Sequence, residues 1–313
     1  MPSVVIIGTG GTIAGTAANS ADSLGYTAGT LKPAQLVAAV PALAAYTIET
    51  VALAQVDSKD MEPAIWQALA RECTQQLARA DVAGVVVTHG TDTLEETAYF
   101  LHRTVRADKP LVLTAAMRPA TALSADGPQN LLDAVRVALT AGAQGVLAVL
   151  AGRVLAGADL RKVHGWVVDA FSSGDAGPLA VVQGEAVRLL RPWPAAPLHR
   201  AGIHAHQAAR WPLVEIVTSH AGARGEMLTA IVDAGAAGIV ISGTGNGSVH
   251  RSLLAAAVAA QARGVSVIRA SRCLLGGVVN GQPAEQDQIP SAGTLTPYQA
   301  RIELMLDLLA GPA

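Results

Sequence analysis

Three turns in this chain gather residue types able to act as nucleophiles, acids or bases. They are Gly8-Thr9-Gly10-Gly11-Thr12, Thr88-His89-Gly90-Thr91-Asp92-Thr93 and Ser242-Gly243-Thr244-Gly245-Asn246-Gly247-Ser248. Each follows a short apolar run. Glycines in such places let the backbone approach a ligand closely and present its N–H groups. A threonine hydroxyl is a poor nucleophile near neutral pH, so it needs an adjacent base or a polarising partner. Lysine usage offers one: of 22 basic residues only Lys32, Lys59, Lys109 and Lys162 are lysines. Arginine stays protonated, whereas a partly buried lysine can release its proton and act as a base. Lys162 directly follows Arg161, so charge alone did not select it.

Every one of these residues also has an ordinary explanation. Thr12 can hydrogen-bond its own turn. Thr93 with Glu96, and Asp92 with Glu95, have the spacing of a helix-capping box. His89 beside Gly90 reads as a packed, satisfied histidine, Ser58 and Asp60 as a cap for a helix near Met61, and Lys162 as an exposed lysine. A dinucleotide site fails on spacing, because G-x-G-x-x-G counted from Gly8 meets Ile13 and counted from Gly10 meets Thr12. No Walker lysine is present, and no His/Cys/Asp/Glu spacing suggests a metal site.

The elements that must carry these turns alternate. Val4–Ile7, Ile48–Leu53, Val85–Thr88, Leu111–Thr114 and Val146–Leu150 read as strands, and Pro33–Val40, Met61–Leu77, Thr93–Val105 and Pro128–Thr140 as helices. Runs such as Val85-Val86-Val87 lack polar alternation, the mark of strands buried on both faces. The pattern predicts an α/β fold, a mostly parallel sheet flanked by helices. Four prolines in Leu190–Pro212 interrupt it, so a linker is expected over 191–212 between a larger domain (1–190) and a smaller one (213–313). In the second domain Val214–Thr218, Ile239–Ser242 and Val265–Arg269 read as strands of another parallel sheet. Gly225–Ala234, Ser252–Arg263 and Pro297–Leu309 read as its helices. In open sheets of this type ligands bind beyond the carboxyl ends of the strands, where the three turns fall.

Bulk properties narrow the classes. Hydrophobic residues make up 51% of the 313, charged residues 15%, and the net charge is -2. Such a chain fills two cores and is not disordered. With no basic cluster, nucleic acid is not an expected partner. No apolar run approaches the roughly 18 residues of a membrane span, and no signal peptide is read at Met1-Pro2-Ser3, so the expectation is a cytoplasmic protein with no membrane partner, a mature periplasmic form being the alternative. Cys73 and Cys273 match no metal or redox spacing and read as two buried thiols, a disulfide being the alternative.

Together the motifs resemble one family. Gly8-Thr9-Gly10-Gly11-Thr12-Ile13-Ala14-Gly15 is similar to the first signature of the bacterial-type L-asparaginases and glutaminase-asparaginases. Thr88–Ala98 resembles the second, and Ala116-Met117-Arg118-Pro119, Ser124-Ala125-Asp126-Gly127-Pro128 and Gly293-Thr294-Leu295 also look like family segments. The resemblance runs from the first strand to the last helix. It implies an asparagine amidohydrolase working through a threonine acyl-enzyme, with no cofactor and no metal. Thr12 matches the nucleophile and Tyr26 the lid tyrosine that helps activate it. Thr91, Asp92 and Lys162 match the group that positions water, with Thr91 sometimes argued to attack as well. Ser58 and Asp92 match holders of the substrate's α-carboxylate and α-amine, and Ala116 the residue whose carbonyl faces the amide.

The resemblance further implies a homotetramer, a dimer of intimate dimers with shared active sites. Asn246, Ser248 and Glu285 match groups lent by a neighbour. Ala14–Gly29, rich in small residues, fits a lid that closes over the substrate. Two positions depart from the pattern. Lys59 stands where the family commonly has glutamine, and a cation there either strengthens the grip on the α-carboxylate or alters pH dependence and selectivity. Ser248 replaces an asparagine, and its shorter side chain leaves room for glutamine. Two other readings stay open: an ammonia-supplying amidotransferase component, and a non-catalytic amino-acid-binding protein on the same scaffold.

Overall fold

The computed structural model describes residues 2–19, 25–195, 202–279, 281 and 288–311. The contacts divide the chain into two compact units, Met1–Leu198 and His199–Ala313.

In the first unit the strands, in chain order, are β1 (Ser3–Gly10), β2 (Thr16–Ala17), β3 (Tyr26–Thr27), β4 (Ile48–Val56), β5 (Val82–Thr88) and β6 (Pro110–Thr114). They continue as β7 (Gly145–Leu150), β8 (Arg153–Ala156), β9 (Arg161–Lys162), β10 (Phe171–Ser172), β11 (Ala180–Gln183) and β12 (Ala186–Leu189). The helices are α1 (Pro33–Ala38), α2 (Pro63–Leu77), α3 (Leu94–Thr104) and α4 (Gly127–Ala138). Eight strands form one sheet in the order β12-β11-β8-β7-β6-β5-β1-β4. From β7 to β4 every pairing is parallel; β8, β11 and β12 add an antiparallel flank. The sheet is thus mostly parallel where the functional turns lie, and the flank is an addition to the expected strands. It begins at a tight hairpin, where Ala151 and Gly152 take φ 48° and 73°. Both central residues at positive φ match the turn whose twist suits paired strands.

Alternate residues of the parallel strands face opposite layers. Val4, Ile6, Val86, Val112, Leu147 and Val149 join Leu36, Leu131 and Val135 in one core, placing α1 and α4 on that side. On the other side α2 and α3 pack together, with the rings of Trp66 and Phe100 stacked 5.2 Å apart. A fully buried side chain of this size stabilises the fold by roughly 1.5–3 kcal/mol. Ser3–Gly10 is buried at every position, as a strand covered on both faces must be.

The second unit holds β13 (Val214–Thr218), β14 (Gly238–Gly243) and β15 (Ser266–Ser271), all parallel and in that order. Its helices are α5 (Gly202–Ala205), α6 (Glu226–Asp233), α7 (Arg251–Ala262) and α8 (Pro297–Ala310). α5 falls within the stretch expected to be a linker. α8 starts at a true capping box, Thr296 accepting from Gln299 N–H and Gln299 answering to Thr296 N–H. The expected pair of buried thiols is corrected here: Cys73 is buried and Cys273 exposed, both free. Cys73 lies on the packed face of α2, whereas Cys273 follows β15 in a loop whose Leu274 and Leu275 are also exposed.

Candidate active site

Strands β4, β1 and β5 end side by side, and the connectivity reverses at β1. The chain leaves β1 for β4 on one side and then crosses to β5 on the other. A reversal of this kind opens a crevice beyond the carboxyl ends, the usual ligand position in such sheets. Two glycines bring the strand-end turns together. Gly11 (φ 79°) lies so close to Gly90 that a Cβ would collide with its backbone, and a Cβ on Gly90 would collide with Ser58 Oγ. Gly11 N–H also donates to Val56 O at 2.9 Å, tying the end of β4 into the cluster. Thr12, Thr91 and Ser58 are therefore gathered at these neighbouring strand ends, and all three are buried.

Thr12 Oγ1 lies 2.7 Å from Tyr26 OH, and either hydroxyl can donate. Tyr26 is held on β3, opposite Ala17 of β2. A Cβ on Gly15 would come within 2.8 Å of Tyr26 Cδ2, so glycine is needed for the ring to lie there. The base of this hairpin is anchored by Ala17 N–H donating to Thr121 Oγ1 at 2.8 Å and Ala120 N–H donating to Gly15 O at 2.9 Å. Of the expected lid, residues 20–24 lie outside the described residues.

Around Thr91 the partners are charged. Lys162 Nζ, carried on β9, donates to Thr91 Oγ1 at 3.0 Å and to Asp92 Oδ1 at 2.6 Å. Asp92 N–H donates to Ser58 Oγ at 3.1 Å, so the serine keeps its own proton for an external acceptor. The capping reading of this turn is corrected. Thr93 makes no side-chain cap; its hydroxyl donates to Ser58 O at 2.8 Å. Glu95 accepts the Lys162 N–H at 2.7 Å instead of closing a box. Burial pushes the Glu95 carboxyl up to about 7, above its ordinary 4.5, against the opposing pull of the Lys162 N–H. Nor does Ser58 cap: Asp57 takes the Lys59 N–H at the start of that turn.

His89 lies beneath the turn as a packed, satisfied histidine. Trp66 Nε1–H donates to Thr97 Oγ1 at 2.8 Å, so the threonine hydroxyl is left to donate to His89 Nε2 at 2.9 Å. That fixes the proton on Nδ1, which donates to Gly90 O at 2.7 Å. Burial lowers the imidazole to about 4, keeping it neutral. Two family-like segments are also joined: Asp126 accepts the N–H groups of Met117 and Arg118 at 2.9 and 3.0 Å. Ala116, just before them, is buried against the same core as Ile13.

Lys59 is not a free cation. Its Nζ contacts Asp57 at 2.6 Å and Asp60 at 3.3 Å, which hold the ammonium above its usual range. Asn246 and Ser248 belong to the second unit, in the turn after β14. There the Asn246 amide pairs with both backbone groups of Val279, at 2.9 and 2.7 Å, and Ser248 pairs through its backbone with Thr244. Glu285 lies outside the described residues. Among the described residues no group of three or more His, Cys, Asp or Glu side chains is placed to hold a metal ion. Sequence reasoning assigned no part in the site to Glu95, Thr97 or Trp66. The available signal for Glu95 was a carboxylate on a helix whose other positions are mostly buried.

The arrangement offers two hydroxyls, one beside a phenol and one beside an amine–carboxylate pair, in turns that touch through Gly11 and Gly90 at the ends of β1 and β5. Comparison with known proteins bears on what it does. The family model for the asparaginase N-terminal domain matches residues 3–195, and that for the glutaminase/asparaginase C-terminal domain matches 213–312. L-asparaginase 2 of Escherichia coli strain K12 is 38% identical over 98% of this chain and 89% of its own length. A glutaminase-asparaginase of Pseudomonas fluorescens biotype A is 36% identical over 98% of this chain and 86% of its own. Among solved structures, a probable cytoplasmic L-asparaginase from Campylobacter jejuni superposes with a TM-score of 0.92 at 35% identity, covering 98% of this chain and 95% of that one.

Proposed function

Because the chain belongs to the asparaginase family, we propose that it hydrolyses the side-chain amide of L-asparagine to L-aspartate and ammonia. The observation that carries the mechanism is the pair of threonine hydroxyls in one crevice, each with its own activating partner. In the first half-reaction Thr12 Oγ1 attacks the amide carbon as its proton passes toward Tyr26. The C–N bond then breaks, and the nitrogen leaves as ammonia carrying that proton. The product is an ester of Thr12. Strand-end N–H groups stabilise the tetrahedral oxyanion, each donor being worth about 3–4 kcal/mol of barrier.

In the second half-reaction water attacks the ester carbon, its proton returns to Thr12 Oγ1, and aspartate leaves. Lys162, Thr91 and Asp92 position and activate that water by the logic of a nucleophile, base and orienting carboxylate. Ser58 donates its free proton to the substrate α-carboxylate, and Asp92 accepts from the α-ammonium. Ala116 offers its carbonyl to the amide. A second reading, with Thr91 attacking first, is favoured by the amine of Lys162 at 3.0 Å, whereas among the described residues Thr12 has no amine partner.

The reaction needs no cofactor. Ser248, shorter than asparagine, admits side activity on glutamine. The working assembly in this reading is a homotetramer of intimate dimers, each site completed by Asn246, Ser248 and Glu285 of a neighbouring copy, and the compartment is the cytoplasm. Among the described residues no helix is long and apolar enough to cross a membrane.

Ammonia release from asparagine, glutamine and their D-isomers tests the reaction, with Thr12→Ala beside wild type. Wild type is expected to act on L-asparagine and Thr12→Ala to lose at least about 10³-fold in kcat, as loss of a nucleophile does. Release from no amide would sink the enzyme reading in favour of a binding protein. Wild-type activity in Thr12→Ala would transfer the attack to Thr91. A mass in solution other than four chains would overturn the assembly.

A further inference from the structure

Lys162 stands on a strand of two residues. Among the described residues β9 pairs only with the equally short β10, where Lys162 lies opposite Phe171. So small a ladder fixes a strand weakly, since each hydrogen bond contributes about 1 kcal/mol net. Yet Nζ must be held within hydrogen-bond range of Thr91 at the end of a flexible four-carbon arm. The Lys162 N–H meets the carboxylate of Glu95, from the first turn of α3, at 2.7 Å. Residues 91–95 therefore grip Lys162 at both ends: Thr91 and Asp92 hold its amine, and Glu95 holds its backbone. Glu95 itself is only 9% exposed.

We propose that Glu95 is a positioning residue for Lys162, docking β9 against α3 so that the amine reaches Thr91 and Asp92 in register. The inference rests on the amidohydrolase reading. The helix that begins immediately after the Thr91-Asp92 turn thereby sets the distance between that turn and its lysine. An ionised carboxylate is a stronger acceptor than a protonated one. The charged groups acting on Glu95 are Glu96 on its own helix and Arg161 and Lys162 on β9. Because its carboxyl titrates at about 7, the carboxylate becomes a stronger acceptor for the Lys162 N–H as pH rises through neutrality, although burying the charge costs the fold stability over the same range.

Glu95→Ala and Glu95→Gln separate this role from mere packing. Glu95→Ala is expected to lower kcat for asparagine about 10–100-fold with KM within about twofold, as small misplacements of a catalytic group do. Glu95→Gln, whose amide oxygen still accepts the N–H, restores kcat to within about threefold of wild type. The ratio of wild-type to Glu95→Gln kcat rises with pH through about 7. Backbone hydrogen exchange at residues 161–163 speeds up in Glu95→Ala alone. Wild-type kcat in a folded Glu95→Ala, or exchange there at the wild-type rate, overturns the proposal. If wild type itself releases no ammonia, the amidohydrolase reading fails by that result, and the exchange measurement still decides whether Glu95 holds β9.

Discussion

The two threonine turns meet in one crevice but are supported in opposite ways. Thr12 follows a strand into a run of small residues, and its hydroxyl partner Tyr26 rides on an antiparallel ladder of two residues per strand, anchored through Thr121 and Ala120. Thr91 rests on a buried chain of Trp66, Thr97, His89 and Gly90 and meets a lysine held from two sides. A group that must admit and release substrate benefits from light support, because closure needs a segment that can open. A group that must hold an amine at one distance from a hydroxyl benefits from dense support. In the proposed amidohydrolase the Thr12 side would serve access and the Thr91 side precision.

If the division of labour is right, damaging each side stalls a different half-reaction. Lys162→Met removes the amine that activates water, so deacylation should slow by about 10²–10⁴-fold, the usual share of acid–base catalysis. Ammonia release should then show a rapid burst of one equivalent per site followed by a slow steady rate. Tyr26→Phe should slow acylation instead, with a fall of the same order or smaller and no burst. A burst in Tyr26→Phe and none in Lys162→Met would reverse the two roles. Rapid-quench ammonia measurement on both variants decides it.

The Thr91 side also carries two buried groups whose titrations oppose each other. Glu95 has its carboxyl raised from 4.5 to about 7, so its contribution to stability is full below 4.5 and is lost as pH climbs through about 7. His89 has its imidazole lowered from 6.5 to about 4, so its contribution is present above 6.5 and is lost as pH falls through about 4. Over the shared window the two slopes offset. Glu95→Gln removes one of them, so its unfolding free energy should gain about 3 kcal/mol relative to wild type as pH rises from 4.5 to above 7. Denaturant titrations at several pH values measure the difference, and a constant offset would remove Glu95 from this balance.

Much of the candidate site is legible because its turns are linear motifs at strand ends. Gly10-Gly11-Thr12 and Gly90-Thr91-Asp92 announce close backbone approach, and a scarce lysine marked position 162. Scarcity was a blunt signal, however, since Lys109 is equally rare and spends its amine on Arg79 O and Val82 O at the foot of β5. Local grammar misled at Thr93 and Glu95, where cap-like spacing hid two tertiary contacts, to Ser58 and to Lys162. The antiparallel flank escaped for a different reason. Its first hairpin turns on Ala151, a residue that rarely takes positive φ, so no Asn-Gly or Asp-Gly pair announced it. Contacts between elements distant in sequence leave no periodic trace, and Trp66 of α2 to Thr97 of α3 to His89 is of that kind.

The contrast extends, at smaller scale, to neighbours on a single turn. Ser58 is 2% exposed and faces Gly90, whereas the Lys59 side chain is 60% exposed and occupied by Asp57 and Asp60. A lysine paired twice with acids presents little net charge to a ligand, and such exposed ion pairs contribute little. To grip an α-carboxylate it would have to leave both partners. Lys59→Gln should therefore raise KM for asparagine by no more than about threefold, with kcat moving less, and the shift should shrink at high salt as screening predicts. Ser58→Ala, by contrast, removes a buried donor and should raise KM well beyond that. A tenfold KM increase in Lys59→Gln that resists salt would mean the ammonium abandons Asp57 and Asp60 when substrate arrives, and would make the exposed neighbour the stronger anchor.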